Sequence, residues 1–423
     1  MIKFLFKGLL RDRSRSLFPI ITVAVGVFLT VFLVAFMGGA LASMYNNTAH
    51  NSSGHVKIMT RAYAAESDQI PNDLAYIGVE DLLLDLRQRY PDMLWLPRIR
   101  FGGLLDVADV RGETQAQGPA SGLAVDFSPD SPEMQFLNLA GAVVQGRLPR
   151  NSGEILLSDE FAQKLGLTPG SPVTLIGSTM YGSMTVSNFT VAGTVHFGVA
   201  AMDRGSVLAD IRDIQRDLDM PDTAGEILGF FASDVYDDAQ ALALVKEFNA
   251  LYADSSDEFA PVMRAMLDDS GLRDYMEMAM LWIYIIIIMF VGVMALVLWN
   301  AGLIGGIRRY GEMGVRLAIG ENKMHIYLSS IAEALIVGLL GSIIGTFFGL
   351  LLAYWLQEHG INYGAVFKNS SIMISSVMKA AVTPQCYYIG FIPGVVSTFI
   401  GSALAGLGIF KRQTAQLFKE LET

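Results

Sequence analysis

Leu17 to Met44 reads LFPIITVAVGVFLTVFLVAFMGGALASM, a stretch without a single acidic or basic side chain. A helix of about 20 apolar residues crosses a hydrocarbon core of roughly 30 Å, so this stretch is long enough to span a membrane. Three more such stretches follow in the C-terminal third: Met276 to Ile307 with the unbroken run Ile285 to Ile288, Tyr327 to Leu356, and Tyr387 to Phe410, where Pro393 is placed to kink the helix. All four exceed the minimum length, which predicts tilt or protrusion beyond the bilayer. Between the first and second lies a polar region that is too long for a loop. The expected fold is an α-helical integral membrane protein with four transmembrane helices in a one-plus-three layout and a large α+β outer domain.

The charges set the expected orientation. Lys3, Lys7, Arg11, Arg13 and Arg15 precede the first span, Arg308, Arg309, Arg316 and Lys323 lie between the second and third, and Lys411, Arg412 and Lys419 follow the fourth. Short segments rich in Lys and Arg stay in the cytoplasm. Residues 41–275 hold 16 Lys and Arg against 33 Asp and Glu, and the segment between spans three and four has only Lys368 and Lys379 as cations. These are expected outside. The predicted organisation is a cytoplasmic N-terminus (1–16), span one (17–44), periplasmic domain (45–275), span two (276–307), cytoplasmic loop (308–326), span three (327–356), periplasmic loop (357–386), span four (387–410) and cytoplasmic C-terminus (411–423). The basic start and Ala40-Leu41-Ala42 superficially match a cleavable signal, but the apolar run is longer than a signal's apolar core, so retention is expected. The single cysteine, Cys386, cannot form an internal disulfide, and the outer domain must be held by its own core.

Within that domain, Ser171 to Ile176 and Thr190 to Val195 have strand composition, whereas Val79 to Tyr90 and Asp237 to Tyr252 place apolar residues at helical spacing. Strand-like stretches at Gly54 to Met59 and Leu94 to Leu105 flank the first helix; Glu226 to Ala232 and Phe259 to Met263 flank the second. A β-α-β unit is therefore expected at each end, forming a split platform (45–105 and 222–275) with an inserted β-rich lobe (106–221).

Two stretches resemble a known family. Ile307-Arg-Arg-Tyr-Gly-Glu-Met-Gly-Val-Arg-Leu-Ala-Ile-Gly320, followed by Glu333 and by Gly341, Gly345 and Gly349, is similar to the region of FtsX/MacB-type ABC transporter permeases that runs from a basic pair through E-[IM]-G-x-[LR]-[RK]-A-[IL]-G into a glycine-spaced helix. The middle departs from that pattern at Val315-Arg316-Leu317. In the outer domain Gly153-Glu-Ile-Leu-Leu157, Leu165-Gly-Leu-Thr-Pro-Gly170 and Val191-Ala-Gly-Thr-Val195, then Asp203, resemble the porter-like periplasmic region of the lipoprotein-releasing permeases LolC and LolE and of MacB. In such permeases the cytoplasmic loop sits in a groove of the ATPase, which by this resemblance makes Arg309, Glu312, Gly314, Arg316 and Gly320 the ATPase-coupling residues.

The residues have readings of their own. The loop can form an amphipathic helix at the membrane surface, stopped by Gly320 with Glu321-Asn322, or it can be an ordinary basic loop that holds orientation. Glu333, about two turns into the third span, is either part of a substrate or proton path or an interfacial acid paired with a cation such as Arg316. Gly341, Gly345 and Gly349 line one helix face for close packing.

No G-x-x-x-x-G-K-[ST] phosphate loop occurs, so this chain does not bind ATP in that way, and no catalytic residue or enzyme activity is expected of it. The five histidines lack metal-site spacing, and His55 is read as structural. The run Asp210, Asp213, Asp217, Asp219 and Asp222, interspersed with Arg212 and Arg216, lacks calcium-loop spacing and suits a solvated helix. No cofactor is expected on this chain. The resemblance implies ATP and Mg on two copies of a P-loop ABC ATPase, a homo- or heterodimer with a similar permease, and a periplasmic lipoprotein carrier or adaptor. It implies mechanotransmission in a bacterial inner membrane, with lipoprotein or amphiphilic cargo released toward the outer membrane and no nucleic acid partner. The alternatives are a MacB-like efflux permease of a tripartite assembly and an FtsX-like signalling protein that controls a periplasmic hydrolase.

Overall fold

The computed structural model describes residues 13–109, 111–198, 200–268, 272–307, 310–362 and 377–406. Most of the cations used above for orientation, in both tails and at Arg308 and Arg309, lie outside the described residues, as does Lys368. The chain divides into two compact units, one formed by Met1–Ala42, Met278–Ile361 and Met378–Thr423, the other by Ser43–Glu277 with Asn362–Val377.

The first unit holds helices long and apolar enough to cross a membrane. The first helix runs Arg13–Thr48, the second Leu272–Ile307 and the third Lys323–His359. The fourth candidate span, Pro384–Leu404, opens with a 3-10 turn, passes through a π turn at Ile392–Val396 and ends in the α-helix Ser397–Gly406. Pro393 lies in that π turn, where its missing N–H leaves the helical ladder one bond short. The first three helices overrun the spans drawn from hydropathy because polar flanking residues continue the hydrogen-bond ladder.

The glycine spacing of the third span has a geometric cause. A Cβ at Gly341 would press on Val23, one at Gly345 on Val27, and one at Gly349 on Val31. Two i,i+4 rows therefore interlock, valines of the first helix against glycines of the third. Gly390 and Gly394 bring the fourth span onto the same Val27, which is fully buried. Gly345→Val is expected to lower the thermal midpoint of the detergent-solubilised chain through overpacking of about 1–3 kcal/mol. Gly292→Val, at a site with nothing within 4 Å, should leave it unchanged.

In the second unit ten strands form one sheet among the described residues: β1 (Val56–Thr60), β2 (Met93–Ala108), β3 (Thr114–Val125), β4 (Val143–Gly146), β5 (Glu154–Ser158), β6 (Pro172–Ser178), β7 (Met184–Val195), β8 (Ser206–Asp210), β9 (Glu226–Phe231) and β10 (Pro261–Ala265). The platform is β10-β1-β9-β2, every neighbour antiparallel. This is the order in which two split β-α-β units interleave. The helices Val79–Arg89 and Asp238–Leu251 share one core on one face, with Leu82, Leu86, Ile227, Phe248 and Met263. Residues alternate across a strand. Leu228 and Phe230 accordingly join a second core with Ala49, Leu96 and Met276.

The lobe is a closed ring. β2 pairs with β3, β3 with β8, β8 with β5, β5 with β7, β7 with β6, and β6 returns to β2, with β4 attached to β7. Its interior packs Phe101, Leu105, Phe161, Leu175 and Phe189. The boundary expected between residues 105 and 106 falls inside β2. Met93 to Arg98 pair with β9 in the platform, and from Ile99 onward the same strand pairs with β3 in the lobe. The lobe therefore starts at the change of partner, and no turn separates it from the platform.

His55, fully buried, accepts a 3.0 Å hydrogen bond at Nδ1 from the Phe231 N–H. Burial pushes its pKa from 6.5 down to about 4. The unfolded chain therefore binds this proton at higher pH than the folded one, and the stabilisation, full above pH 6.5, declines as pH falls toward about 4. Glu154, held well below the carboxylate range chiefly by Arg147, begins to lose its contribution only below 4.5. The thermal midpoint is expected to drop by several degrees between about pH 7 and 4.5. His55→Asn, which keeps an acceptor for Phe231, should flatten most of that drop.

Candidate functional site

The loop between spans two and three is a helical elbow. Tyr310–Ala318 forms a short amphipathic helix. It ends in a Schellman motif: the Glu321 N–H donates to Arg316 O at 3.1 Å, the Gly320 N–H donates to Leu317 O at 3.0 Å, and Gly320 has φ +94°. Asn322 then caps the third span, its Oδ1 accepting from the Met324 N–H at 3.0 Å. Gly320 is the residue that lets one helix stop and the next begin three residues later, at Lys323.

A polar cluster closes the elbow. Arg316 donates from Nε and Nη2 to the two oxygens of Glu321, each at 2.7 Å, and from Nη1 to Ser329 Oγ at 3.2 Å. His325 Nδ1 lies 2.8 Å from Glu321 Oε1. Arg316 first, then His325, hold the Glu321 carboxyl below its ordinary value. Of the residues expected to couple the ATPase, Arg316 and Gly320 thus act together in the elbow, and Gly314 is buried on the helix. Glu312 is on the helix, but its side chain, like all of Arg309, lies outside the described residues. Arg316 pairs with Glu321, and Glu333 is half-buried in the third span.

The outer domain contains a second cluster. Arg98 and Glu133 are each 1% exposed and form a two-bonded ion pair at 2.7 and 2.6 Å. Arg98 Nη2 also donates to His50 O at 2.7 Å, in the π turn Ala49–Ser53 that ends the first helix. His50 stacks on Phe136 at 4.5 Å and reaches Asp234 Oδ1 at 2.7 Å through Nε2. Two residues along β2, Arg100 pairs with Glu226 at 3.2 Å, and Glu226 also accepts from the buried Lys57 at 3.2 Å. Sequence reasoning missed this joint. Its only signal is the run Arg98-Ile99-Arg100 inside a strand, and the partners lie tens of residues away.

The aspartate run differs from a solvated helix. Asp210 caps the helix Ile211–Asp217, while Asp213, 3% exposed, accepts from the Gly153 N–H at 2.6 Å and from Ser152. Arg216 pairs with Asp213 and Asp217. Asp213 is thus a buried clamp on the Gly153 turn, and Asp219 and Asp222 occupy left-handed turn positions. Among the described residues no group of three His, Cys, Asp or Glu is placed to hold a metal.

The MacB-like periplasmic core domain family matches residues 16–251, more than half of the chain. The FtsX-like permease C-terminal family matches residues 284–414. The chain belongs to the FtsX/MacB-type permeases. No curated protein matches it. Among solved structures it is similar to the periplasmic region of MacB from Actinobacillus actinomycetemcomitans, at 13% identity and a TM-score of 0.35, covering 52% of this chain and 92% of that one. As an FtsX/MacB-type permease it is a multi-pass membrane component of an ABC transporter with a periplasmic-type domain, and membership of the family implies an ATPase partner and a dimeric assembly.

In this permease the elbow is held by charge-assisted hydrogen bonds on an exposed surface, and exchange of its amides reports its integrity. Arg316→Ala is expected to speed hydrogen exchange several-fold at Gly320, Glu321 and the first turn of the third span, leaving the outer strands unchanged. The charge swap Arg316→Glu with Glu321→Arg should recover part of the protection.

Proposed function

We propose that this chain is the permease of a bacterial inner-membrane ABC transporter that works by mechanotransmission, with both termini in the cytoplasm and the large domain in the periplasm. The observation that carries the reading is the pairing of an FtsX-like permease region with a MacB-like core domain in one chain. ATP hydrolysis then belongs to a separate subunit docked on the elbow around Arg309 to Gly320. The first and second helices, each 36 residues long, carry the motion to the outer domain. None of the second span's apolar window is buried within the chain, against 39% for the first and third. That open surface supports a dimer, in which a second permease covers part of it.

Lipoprotein release from the inner membrane toward a periplasmic carrier is the preferred activity. It is favoured by the Gly153 to Gly170 pattern, which the structure folds as a strand, a helix and a turn tied by Asp213. Efflux through a tripartite assembly is the second reading, and FtsX-like control of a periplasmic hydrolase the third.

Affinity purification of the full chain from its native membrane separates the three. A copurifying P-loop ATPase together with acylated lipoproteins is the expected result, and a second four-span permease would make the dimer heteromeric. An adaptor with an outer-membrane channel would point to efflux. Recovery of a hydrolase would favour the third reading, and loss of every ATPase even after crosslinking would remove the transporter assignment for this chain.

A further inference from the structure

Past the valines that meet the third helix, the first helix carries two adjacent glycines, Gly38 and Gly39. Glycine inside a helix is destabilising, and its use there is to admit a close neighbour. The neighbour is the chain that leads into the fourth span. Residues 379–383 follow the short strand Val377–Met378, have no regular secondary structure and enter the 3-10 turn Pro384–Tyr387. A Cβ at Gly39 would overlap the Lys379 carbonyl and press on the Ala380 backbone. One at Gly38 would sit 3.5 Å from Ala381 O, an ordinary contact.

Two hydrogen bonds fasten this segment. The Ala381 N–H donates at 2.9 Å to Ala35 O, inside the first helix, and the Val382 N–H donates at 3.0 Å to Gln357 Oε1, on the third. Ala380, 2% exposed, packs in one core with Ala35 of the first helix and with Ala353 and Leu356 of the third. The segment therefore bridges the same two helices that interlock through Gly341, Gly345 and Gly349.

The two fastenings differ in kind. Separating the glycine row from Val23, Val27 and Val31 exposes three buried valines along the helix axis. The bridging segment has one buried alanine and no ladder of its own, and segments with few apolar contacts and few hydrogen bonds open locally at far less cost than the whole fold. Its acceptors also survive the opening. Ala35 O belongs to the helical ladder, and Gln357 is exposed, so water replaces the Val382 N–H. We infer that residues 379–383 form a strap that holds the C-terminal part of the first helix and opens without unfolding of the spans, freeing residues 38–44. The opening belongs to the chain by itself; its use in passing motion along the first helix rests on the mechanotransmission reading.

The test is hydrogen exchange on the full chain in phospholipid nanodiscs. The Ala381 and Val382 amides are expected to exchange at least about a hundredfold faster than those of residues 341–349. Gly39→Ala should speed exchange at Ala381, Val382 and residues 40–44 by at least about tenfold and leave residues 341–349 unchanged. Alanine favours helix over glycine, so faster exchange in the first helix does not come from the substitution's own propensity. Gly38→Ala, whose Cβ has room, should match the parent. A chain with Gly38→Cys and Ala381→Cys, positions whose Cβ atoms lie 3.9 Å apart, should close a disulfide on oxidation and slow exchange at Val382. Strap amides that exchange only together with the spans, a Gly39→Ala chain that behaves like Gly38→Ala, or a double-cysteine chain that stays unlinked overturns the strap. Faster exchange at Ala381 with none at residues 40–44 overturns the freeing of the first helix. No readout needs an ATPase, so a failure of the transporter reading is seen separately.

Discussion

Arg98 and Glu133 are both almost wholly removed from water, and the organisation of the outer domain depends on their meeting. Each buried ion costs several kcal/mol of desolvation, which only good geometry and further hydrogen bonds offset. Two bonds to Glu133 and one to His50 O supply that compensation, while Arg98 Nη1 remains without a partner. Such a pair is weak evidence for stability, since well-packed apolar residues can do as well. What it supplies here is position. Strand β2 carries Arg98, the segment below the lobe carries Glu133, and the π turn ending the first helix carries His50. Asp234 and Phe136 then hold the His50 ring from two sides. The π turn is thereby tied both to the platform strand β2 and to the segment carrying Glu133.

The same economy appears at the elbow. Two of the residues matched on family grounds turn out to have local tasks that physical chemistry explains by itself. Gly320 takes a left-handed conformation, and Arg316 closes the corner onto Glu321 and Ser329. Arg316 is already engaged by two carboxylate oxygens of Glu321. It is well suited to making the elbow helix and the third span respond as one piece.

The spans were legible because lipid leaves little choice: an uncharged run of this length must satisfy its backbone as a helix. The glycine row in the third span was legible as a packing face, and its partner was not, since Val23, Val27 and Val31 look like any apolar residues until the helices meet. The platform's strands and helices could be read from their periodicity, and their interleaved order also follows once two β-α-β units share a sheet. The lobe boundary could not. A single strand of 16 residues serves both sheets, and the change of partner at Ile99 carries no turn residue. Arg98 with Glu133 and Asp213 with Gly153 escaped for a different reason, since pattern reading sees neighbours in sequence and these contacts join residues 35 and 60 apart.

Burial also explains why the two polar clusters respond differently to their surroundings. The elbow's ion pair is exposed, so salt screens it and its opening is a small perturbation. The Arg98 joint lies beside Phe136, Phe230 and the π turn, and breaking it strands a buried charge.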